Sequence, residues 1–485
     1  MTGANRQEHD LLGTCEVPAD AYYGVHACRA AANFPISGQT PHPQLLRAMG
    51  LVKKACALAN TELGHLSQER GRVIAQAAEE LAEGRWGDQI VVDAYQGGAG
   101  TSTNMNVNEV IANRAIELLG GRKGDYSLVH PLDHVNLHQS TNDVYPTALR
   151  VAAIALLLPL SQALARLQEA LQEKEAEFAG VIKLGRTEMQ DAVPITLGQE
   201  FSAWAQAVAR DRWRLYKVEE RLRQVNLGGT AVGTGLNADR RYSYLAAEKL
   251  RAVARQGLSR AENPIDLTQN ADVFVEVSGL IKAGAVNLAK IASDLILLSS
   301  GPRGGLAEIN LPELQAGSSI MPGKVNPVVP EMVKQVSYQV IGFDVAITLA
   351  AQGGQLELNA FLPLIAHDLL WGIQLLTRAA DIFTERCVKG VTASRERCRG
   401  WLEDSYGLVT AIIGHVGYDL ASDIAREARD TGRPVRQVIL DRGLFTPDRL
   451  ALVLDPEQMT RPGIPGAVTR TRDVGSDGRG PGRQD

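Results

Sequence analysis

Apolar residues along much of the chain recur at steps of three and four, the spacing of one helix face. The clearest series starts at Val273 and continues to Leu298. The same spacing predicts long helices over four further ranges, 146–178, 196–225, 328–350 and 361–389. Because short connections join these segments, we expect a mainly α fold in which five long helices form an elongated central bundle between smaller N- and C-terminal domains.

The regions outside the long helices show other patterns. Residues 44–83 have helical spacing and predict two shorter helices, and no strand-rich region is visible beyond short pieces. The last stretch is rich in Gly, Arg and Asp, a composition typical of disorder. We therefore predict four parts: an N-terminal domain over 1–140, the bundle over 141–395, a small helical domain over 396–468 and a disordered tail over 469–485.

Composition narrows the classes of partner and compartment. The net charge of −5 argues against nucleic acid or anionic membrane as the main partner. The N-terminus lacks an apolar core typical of a signal peptide, and the longest apolar run, 151–160, is about half of a bilayer span. Five scattered cysteines without a C-x-x-C pair fit a reducing compartment, without a disulfide framework or structural zinc. We expect a cytoplasmic protein.

Residues 317–331 combine a Gly-flanked loop, a cation and a helix start. Ser318 and Ser319 follow Gly317, and Lys324 supplies a positive charge. Asn326 is a good N-cap before Pro327, so a helix N-terminus is expected to point at the same place. A helix N-terminus beside an ammonium group can bind an anion, and Ser318 could act there as nucleophile or base. The alternative is an ordinary loop whose Ser and Lys face water. We call residues 317–326 the 318 loop.

Three further groups of short polar side chains are expected at or just before helix starts. They are the 101 cluster (101–103), before a helix predicted over 107–119, the 140 cluster (140–142), before one from Pro146, and the 187 cluster (187–188). Several helix N-termini that converge would bind a small dianion without a metal. Taken singly, each cluster could also be a simple helix cap.

Three histidines, His130, His134 and His138, are spaced four residues apart. On one helix face, such a spacing could form a zinc site. Pro131 and Asn136 weaken a helix over this stretch, so the spacing does not place the three rings on one face. We favour surface or structural histidines, and we predict no metal and no cofactor.

The segment from Gly317 to Glu331 resembles the signature of the aspartase/fumarase superfamily of lyases, and the resemblance extends over about 11–464. The runs at 96–100, 140–143 and 190–194 are similar to the aspartase members, whereas 106–114 is closer to fumarases. Three positions depart from the family pattern. Cys15 replaces a basic residue, Glu188 stands where fumarases have His, and 410–418 lacks the usual Asn-Pro-Tyr.

The resemblance implies a homotetramer, with active sites shared between subunits, that removes ammonia or water from a dicarboxylic acid. It makes Ser318 the base for the Cβ proton. It implies that one carboxylate is held by Thr101, Ser140, Thr141 and Ser319, and the other by Thr187, Lys324 and Asn326. Asn142 and Glu188 would lie near the amino group. The leading expectation is reversible deamination of L-aspartate through an aci-carboxylate. Fumarate hydration and a catalytically silent family member are the alternatives.

Overall fold

The computed structural model describes residues 4–467, in which helices predominate. The helices are α1 (Val25–Asn33), α2 (Pro43–Glu62), α3 (Gln68–Ala82), α4 (Thr101–Leu118), α5 (Thr141–Glu177), α6 (Leu197–Glu219), α7 (Tyr242–Ala254), α8 (Pro264–Gln269), α9 (Asp272–Leu298), α10 (Val328–Gln352), α11 (Leu362–Arg386), α12 (Arg395–Glu403), α13 (Ile413–Val416), α14 (Tyr418–Thr431), α15 (Val435–Asp441), α16 (Pro447–Val453) and α17 (Pro456–Met459). The mainly α prediction is confirmed.

Short strands pair two by two in the described residues. The antiparallel pairs are β1 (Asn5–Asp10) with β2 (Gly13–Pro18), β3 (Ile182–Thr187) with β4 (Gln190–Thr196), and β7 (Ile309–Asn310) with β8 (Thr392–Ala393). The parallel pair is β5 (Gln224–Val225) with β6 (Ser259–Arg260). The β3–β4 hairpin was not predicted.

The five longest helices, α5, α6, α9, α10 and α11, correspond to the five predicted from apolar spacing. In α9, Val277, Leu288, Ile291 and Leu295 are fully buried, which explains why the period was so clear there. Helix α5 alone, within the described residues, has the length and hydropathy of a bilayer span, and 61% of its most apolar window is buried inside the protein. It therefore serves as a core helix, as predicted.

Contacts divide the chain into two compact units. The first comprises the chain up to Leu171 together with Trp204–Leu297 and Pro312–Gly390. In this unit α2 packs on α3 and α7, and α10 packs on α11. The second comprises Gln172–Ala203, Leu298–Leu311 and the chain from Val391 onward. The predicted four-part division stays a prediction, and its disordered tail at 469–485 lies outside the described residues.

The second unit has its own apolar core at the C-terminal end. Buried side chains of α14, α15 and α16 meet those of the preceding segment, with Ile412, Ile424, Val438 and Leu450 fully buried. The β3–β4 hairpin packs against α12 in the same unit. The other strand of this hairpin, β4, packs against residues 406–412, whose Ala411 and Ile412 belong to the core.

Candidate active site

Two hydrogen bonds close the neck of the 318 loop. The N–H of Gly317 donates to the carbonyl of Lys324 at 2.7 Å, and Nδ2 of Asn326 donates to the carbonyl of Gly317 at 2.8 Å. A Cβ atom on residue 317 would lie 2.8 Å from the Asn326 nitrogen and the Lys324 oxygen, so only glycine fits. The neck fixes both ends of the loop, and residues 319–325 between them are exposed.

The hydroxyl oxygen of Ser318 faces two backbone donors. Its Oγ accepts hydrogen bonds from the N–H groups of Ile320 at 3.2 Å and Met321 at 2.9 Å. Such donors favour negative charge on the oxygen, so they stabilise an alkoxide more than a neutral hydroxyl. Lys324 is exposed on the same loop and forms no ion pair with any described residue. The loop thus carries a candidate base and an available cation.

The helix after the loop does not begin as predicted. Helix α10 starts at Val328 with Pro327 at the cap position, and no side chain caps it. Asn326 was predicted as the N-cap, and this prediction is wrong, because its side chain turns back to close the loop neck. The predicted first-turn position of Pro327 is wrong by one residue.

Helix α4 begins at Thr101 rather than at the predicted 107. The turn before it is sharply left-handed, with φ values of 84° at Gly98, 57° at Ala99 and 93° at Gly100. A Cβ atom on residue 100 would lie 2.3 Å from the ring of Tyr145, so this position requires glycine. The turn places Thr101 exposed at the helix N-terminus.

Helix α5 begins at Thr141, although Pro146 was predicted to start it. Ser140 caps the helix, because its Oγ accepts from the N–H of Asn142 at 3.2 Å while its own N–H donates to Oδ1 of Asp143 at 3.0 Å. Pro146 has no N–H for the carbonyl of Asn142, and Nδ2 of Asn226 donates to that carbonyl instead at 3.1 Å. This substitute donor allows a proline inside the helix.

The 101 and 140 clusters lie close together through a buried amide. Nδ2 of Asn104, in α4, donates to Oγ1 of Thr141 at 3.1 Å. Asn142 is held as well, because its Nδ2 donates to the carbonyl of Ala231 at 2.7 Å. The starts of α4 and α5 therefore form one polar surface in the first unit, presenting Thr101 and Ser140.

Behind this surface lies a buried lysine that the sequence interpretation missed. Lys53 Nζ donates to Oδ1 of Asn136 at 3.0 Å and to Oε1 of Gln139 at 2.9 Å. Burial lowers the pKa of Lys53 to about 7, and burial raises the pKa of the neighbouring Asp143 to about 7. The signal in the sequence was a lysine between the apolar Met49 and Cys56, at positions that share one helix face.

The 187 cluster is not at a helix start, and this part of the prediction is wrong. Thr187 ends strand β3, and Glu188 with Met189 forms the two-residue turn to β4. Glu188 and Met189 have φ values of 53° and 64°, a turn type that normally selects Asn or Gly. Both Thr187 and Glu188 are exposed at the hairpin tip. The next helix start is Leu197, where Thr196 and Gln199 form the predicted capping box.

A buried ion network in the second unit anchors the base of this hairpin. The carboxylate of Glu308, which is fully buried, lies 2.8 Å from Nη1 of Arg186 and 3.1 Å from Nζ of Lys183. Lys183 also pairs with Glu200 at 2.7 Å. Because Lys183 and Arg186 of β3 both pair with carboxylates in the interior, the hairpin has a fixed orientation within its own unit.

The three histidines tested for zinc make hydrogen bonds within the chain. Nδ1 of His130 accepts from the N–H groups of Leu132 and Asp133, and Nδ1 of His134 accepts from the N–H of His130. Nδ1 of His138 lies 2.7 Å from Oδ1 of Asn60. These bonds agree with the structural interpretation, and residues 4–467 contain no group of three or more His, Cys, Asp or Glu suited to a metal ion.

One chain brings together some of the predicted site residues. The 101 and 140 clusters meet in the first unit. The described hydrogen bonds of the 318 loop stay within the loop, apart from one that the N–H of Val328 donates to the carbonyl of Asn326. The 187 cluster belongs to the second unit.

Family models match most of the chain. The model described as a lyase matches residues 13–342, and the model of the fumarase C C-terminus matches 408–461, which includes the segment that departs from the usual Asn-Pro-Tyr. An aspartate ammonia-lyase from a Bacillus species is 50% identical over 95% of this chain and 98% of its own length.

Solved structures give the same grouping. A fumarate lyase from Brucella melitensis, described as delta crystallin bound to cobalt, superposes with a TM-score of 0.91 at 49% identity, covering 95% of this chain and 100% of that one. A class II fumarase from Schistosoma mansoni has a TM-score of 0.91 at 34% identity, covering 94% and 99%. The chain therefore belongs to the aspartase/fumarase superfamily of lyases.

Proposed function

We propose that this chain is a carbon–nitrogen lyase that reversibly deaminates L-aspartate to fumarate and ammonia. Its full-length similarity to an aspartate ammonia-lyase supports a dicarboxylate substrate with an amino group. The observation that carries the proposal is the pair of N–H groups that face Oγ of Ser318, on a loop that also presents Lys324. Together they lower the cost of forming an alkoxide base.

The reaction starts when Ser318 takes the Cβ proton of L-aspartate. The electron pair of the C–H bond moves into the adjacent carboxylate, which becomes a dianionic aci-carboxylate. These electrons then return to form the carbon–carbon double bond, while the pair of the C–N bond leaves with ammonia. Fixed donors around the aci-carboxylate oxygens stabilise this intermediate by several kcal/mol.

Two groups of side chains divide the substrate between them in this proposal. The carboxylate next to the acidic C–H bond is held by Thr101, Ser140, Thr141 and Ser319. The other carboxylate is held by Thr187, Lys324 and Asn326, and Asn142 with Glu188 contacts the amine. The joined starts of α4 and α5 support the first assignment, since their N–H groups and hydroxyls lie on one surface. Asn326 also has a structural role, because its side chain bonds to the carbonyl of Gly317 and joins the two ends of the loop.

We further propose a homotetramer whose active sites combine residues of different subunits. Two observations support it. The 318 loop makes no hydrogen bond to the 101 or 140 cluster within the described chain. Helix α10 also exposes an apolar stripe, because Tyr338, Val345 and Leu349 lie on one helix face and are 57%, 57% and 58% exposed. Such a stripe fits burial against another copy of the chain.

Fumarate hydration is the second candidate function, and the similarity to a class II fumarase supports it. A spectrophotometric assay of fumarate formation separates the possibilities. We expect fumarate to appear with L-aspartate and not with L-malate. Fumarate from L-malate alone would establish the hydratase, and no fumarate from either substrate would establish a silent family member.

A further inference from the structure

Two cysteines that are distant in sequence meet at the N-terminal hairpin. Cys15 is in β2 and Cys28 is in α1. Both thiols donate to the same acceptor, the carbonyl of Glu16, at 3.8 Å each. Because both thiols reach the same carbonyl oxygen, they are neighbours at the junction of β2 and α1.

The surrounding packing holds the pair in place. Helix α1 packs against both strands of the hairpin. Arg29, the residue after Cys28, pairs with Asp10 at 2.9 Å and donates to the carbonyl of Gly13 at 2.9 Å. These contacts hold α1 against the hairpin next to the two thiols.

The pair is accessible, unlike the other three cysteines. Cys15 and Cys28 are partly exposed, whereas Cys56, Cys387 and Cys398 are buried. Burial, followed by the nearby Cys15 thiol, raises the pKa of Cys28 to about 11. Cys15 is therefore the thiol expected to react first, because the thiolate is the nucleophile.

We propose that Cys15 and Cys28 form a reversible disulfide that joins the N-terminal hairpin to α1 and takes a small-molecule disulfide as oxidant. The Cys15 thiolate attacks one sulfur of the oxidant, and the first half of the oxidant leaves as a thiolate. The Cys28 sulfur then attacks the sulfur of Cys15, forming the internal S–S bond and releasing the second half. Two electrons pass to the oxidant, and the two thiol protons end on its two product thiols.

The consequence of this bond is a stabilised N-terminal segment. It closes a short loop between residues 15 and 28 and restricts the unfolded chain. The same segment holds the start of α1, where the N–H groups of Gly24, His26 and Ala27 donate to the buried carboxylate of Glu109. Oxidation should therefore slow unfolding and proteolysis of the hairpin.

The proposal can be tested by incubating the full-length protein with glutathione disulfide. The product is then examined by intact-mass analysis and by counting its reactive thiols without denaturant. The expected product has lost the mass of two hydrogen atoms and both reactive thiols, has no glutathione attached, and melts at a higher temperature until dithiothreitol is added. Cys15→Ser and Cys28→Ser should each retain a mixed disulfide at the remaining thiol and show no such rise. Glutathione adducts on both cysteines of the unsubstituted protein, or disulfide-linked dimers through them, would overturn the proposal.

Discussion

A serine is a weak base, and the surroundings of Ser318 decide whether it can act as one. We expect Ser318→Ala to lower kcat by about 10²–10⁴-fold or more, since it removes the proton-accepting group. Steady-state fumarate formation measures the loss. Circular dichroism and size-exclusion chromatography should be unchanged, because the side chain bonds only to its own loop.

Ser422→Ala is the matched control for that substitution, because it removes a hydroxyl from the exposed face of α14, where it bonds to the carbonyl of Tyr418. It should leave the rate intact. A Ser318→Ala variant with a near-normal rate would remove Ser318 from the base role.

Glu188 is the position at which this chain departs from fumarases within the site. A carboxylate at the hairpin tip could accept a hydrogen bond from the substrate ammonium in the ground state. We therefore predict that Glu188→Gln raises KM for L-aspartate more than it lowers kcat. Met189→Gln, at the neighbouring turn residue, should change neither constant. If Glu188→Gln leaves KM unchanged in a folded enzyme, Glu188 has no part in amine recognition.

At the scale of elements, long helices could be predicted from the sequence and their starts could not. The apolar period of α9 reflects its buried face, so the existence and the length of this helix could be predicted. The starts of α4 and α5 were placed late, because the polar Thr, Asn and Ser residues there are typical of loops. Their side chains are instead paired inside the fold, as Asn104 is with Thr141, and such pairing is invisible in a linear pattern.

The β3–β4 hairpin was missed for a similar reason. Its turn residues, Glu188 and Met189, lack the Asn-Gly or Gly-rich sequence by which a two-residue hairpin turn is normally predicted. The buried network around Glu308 keeps the strands in place, and Glu308 is 122 residues from its partner Arg186 in the chain. Tertiary contacts thus override the local signal.

Helix α2 contains a cap that should respond to acid. The buried His42 is its N-cap, and its Nδ1 accepts from the N–H of Gln44 at 3.1 Å. Burial lowers the pKa of His42 to about 4 in the folded protein, whereas an unfolded chain has the ordinary histidine pKa of about 6.5. The folded state requires the neutral ring, so this stabilisation is fully present above a pH of about 6.5. This contribution, about 3 kcal/mol if the whole shift applies, is lost as the pH falls from about 6.5 through about 4.

His42→Asn keeps a cap acceptor but cannot titrate, so it should flatten the loss of stability in that window. Urea unfolding at several pH values measures the effect, with His9→Asn on the exposed edge of β1 as the control. An unchanged pH profile for His42→Asn, with the variant folded at pH 7, would contradict the assignment.

At the scale of the whole molecule, the lack of a described hydrogen bond between the 318 loop and the 101 or 140 cluster leads to a prediction about assembly. Ser318→Ala and Thr187→Ala should each be nearly inactive alone. If each site uses residues from different subunits, reversible dissociation and reassociation of a mixture should restore part of the activity, since some sites then contain both intact residues. Absence of any recovery in mixed tetramers, or a stable active monomer, would count against shared sites. The predicted cytoplasmic location stays a prediction.

The reverse reaction in heavy water is the most direct test of whether the chain adds ammonia and a Cβ proton to fumarate. Fumarate and ammonium are incubated with the protein in D₂O, and the products are followed by proton NMR. We expect L-aspartate carrying a single deuteron at Cβ, formed only when ammonium is present and not formed by Ser318→Ala. Malate formed from fumarate without any dependence on ammonium, or aspartate formed equally well by Ser318→Ala, would contradict this mechanism.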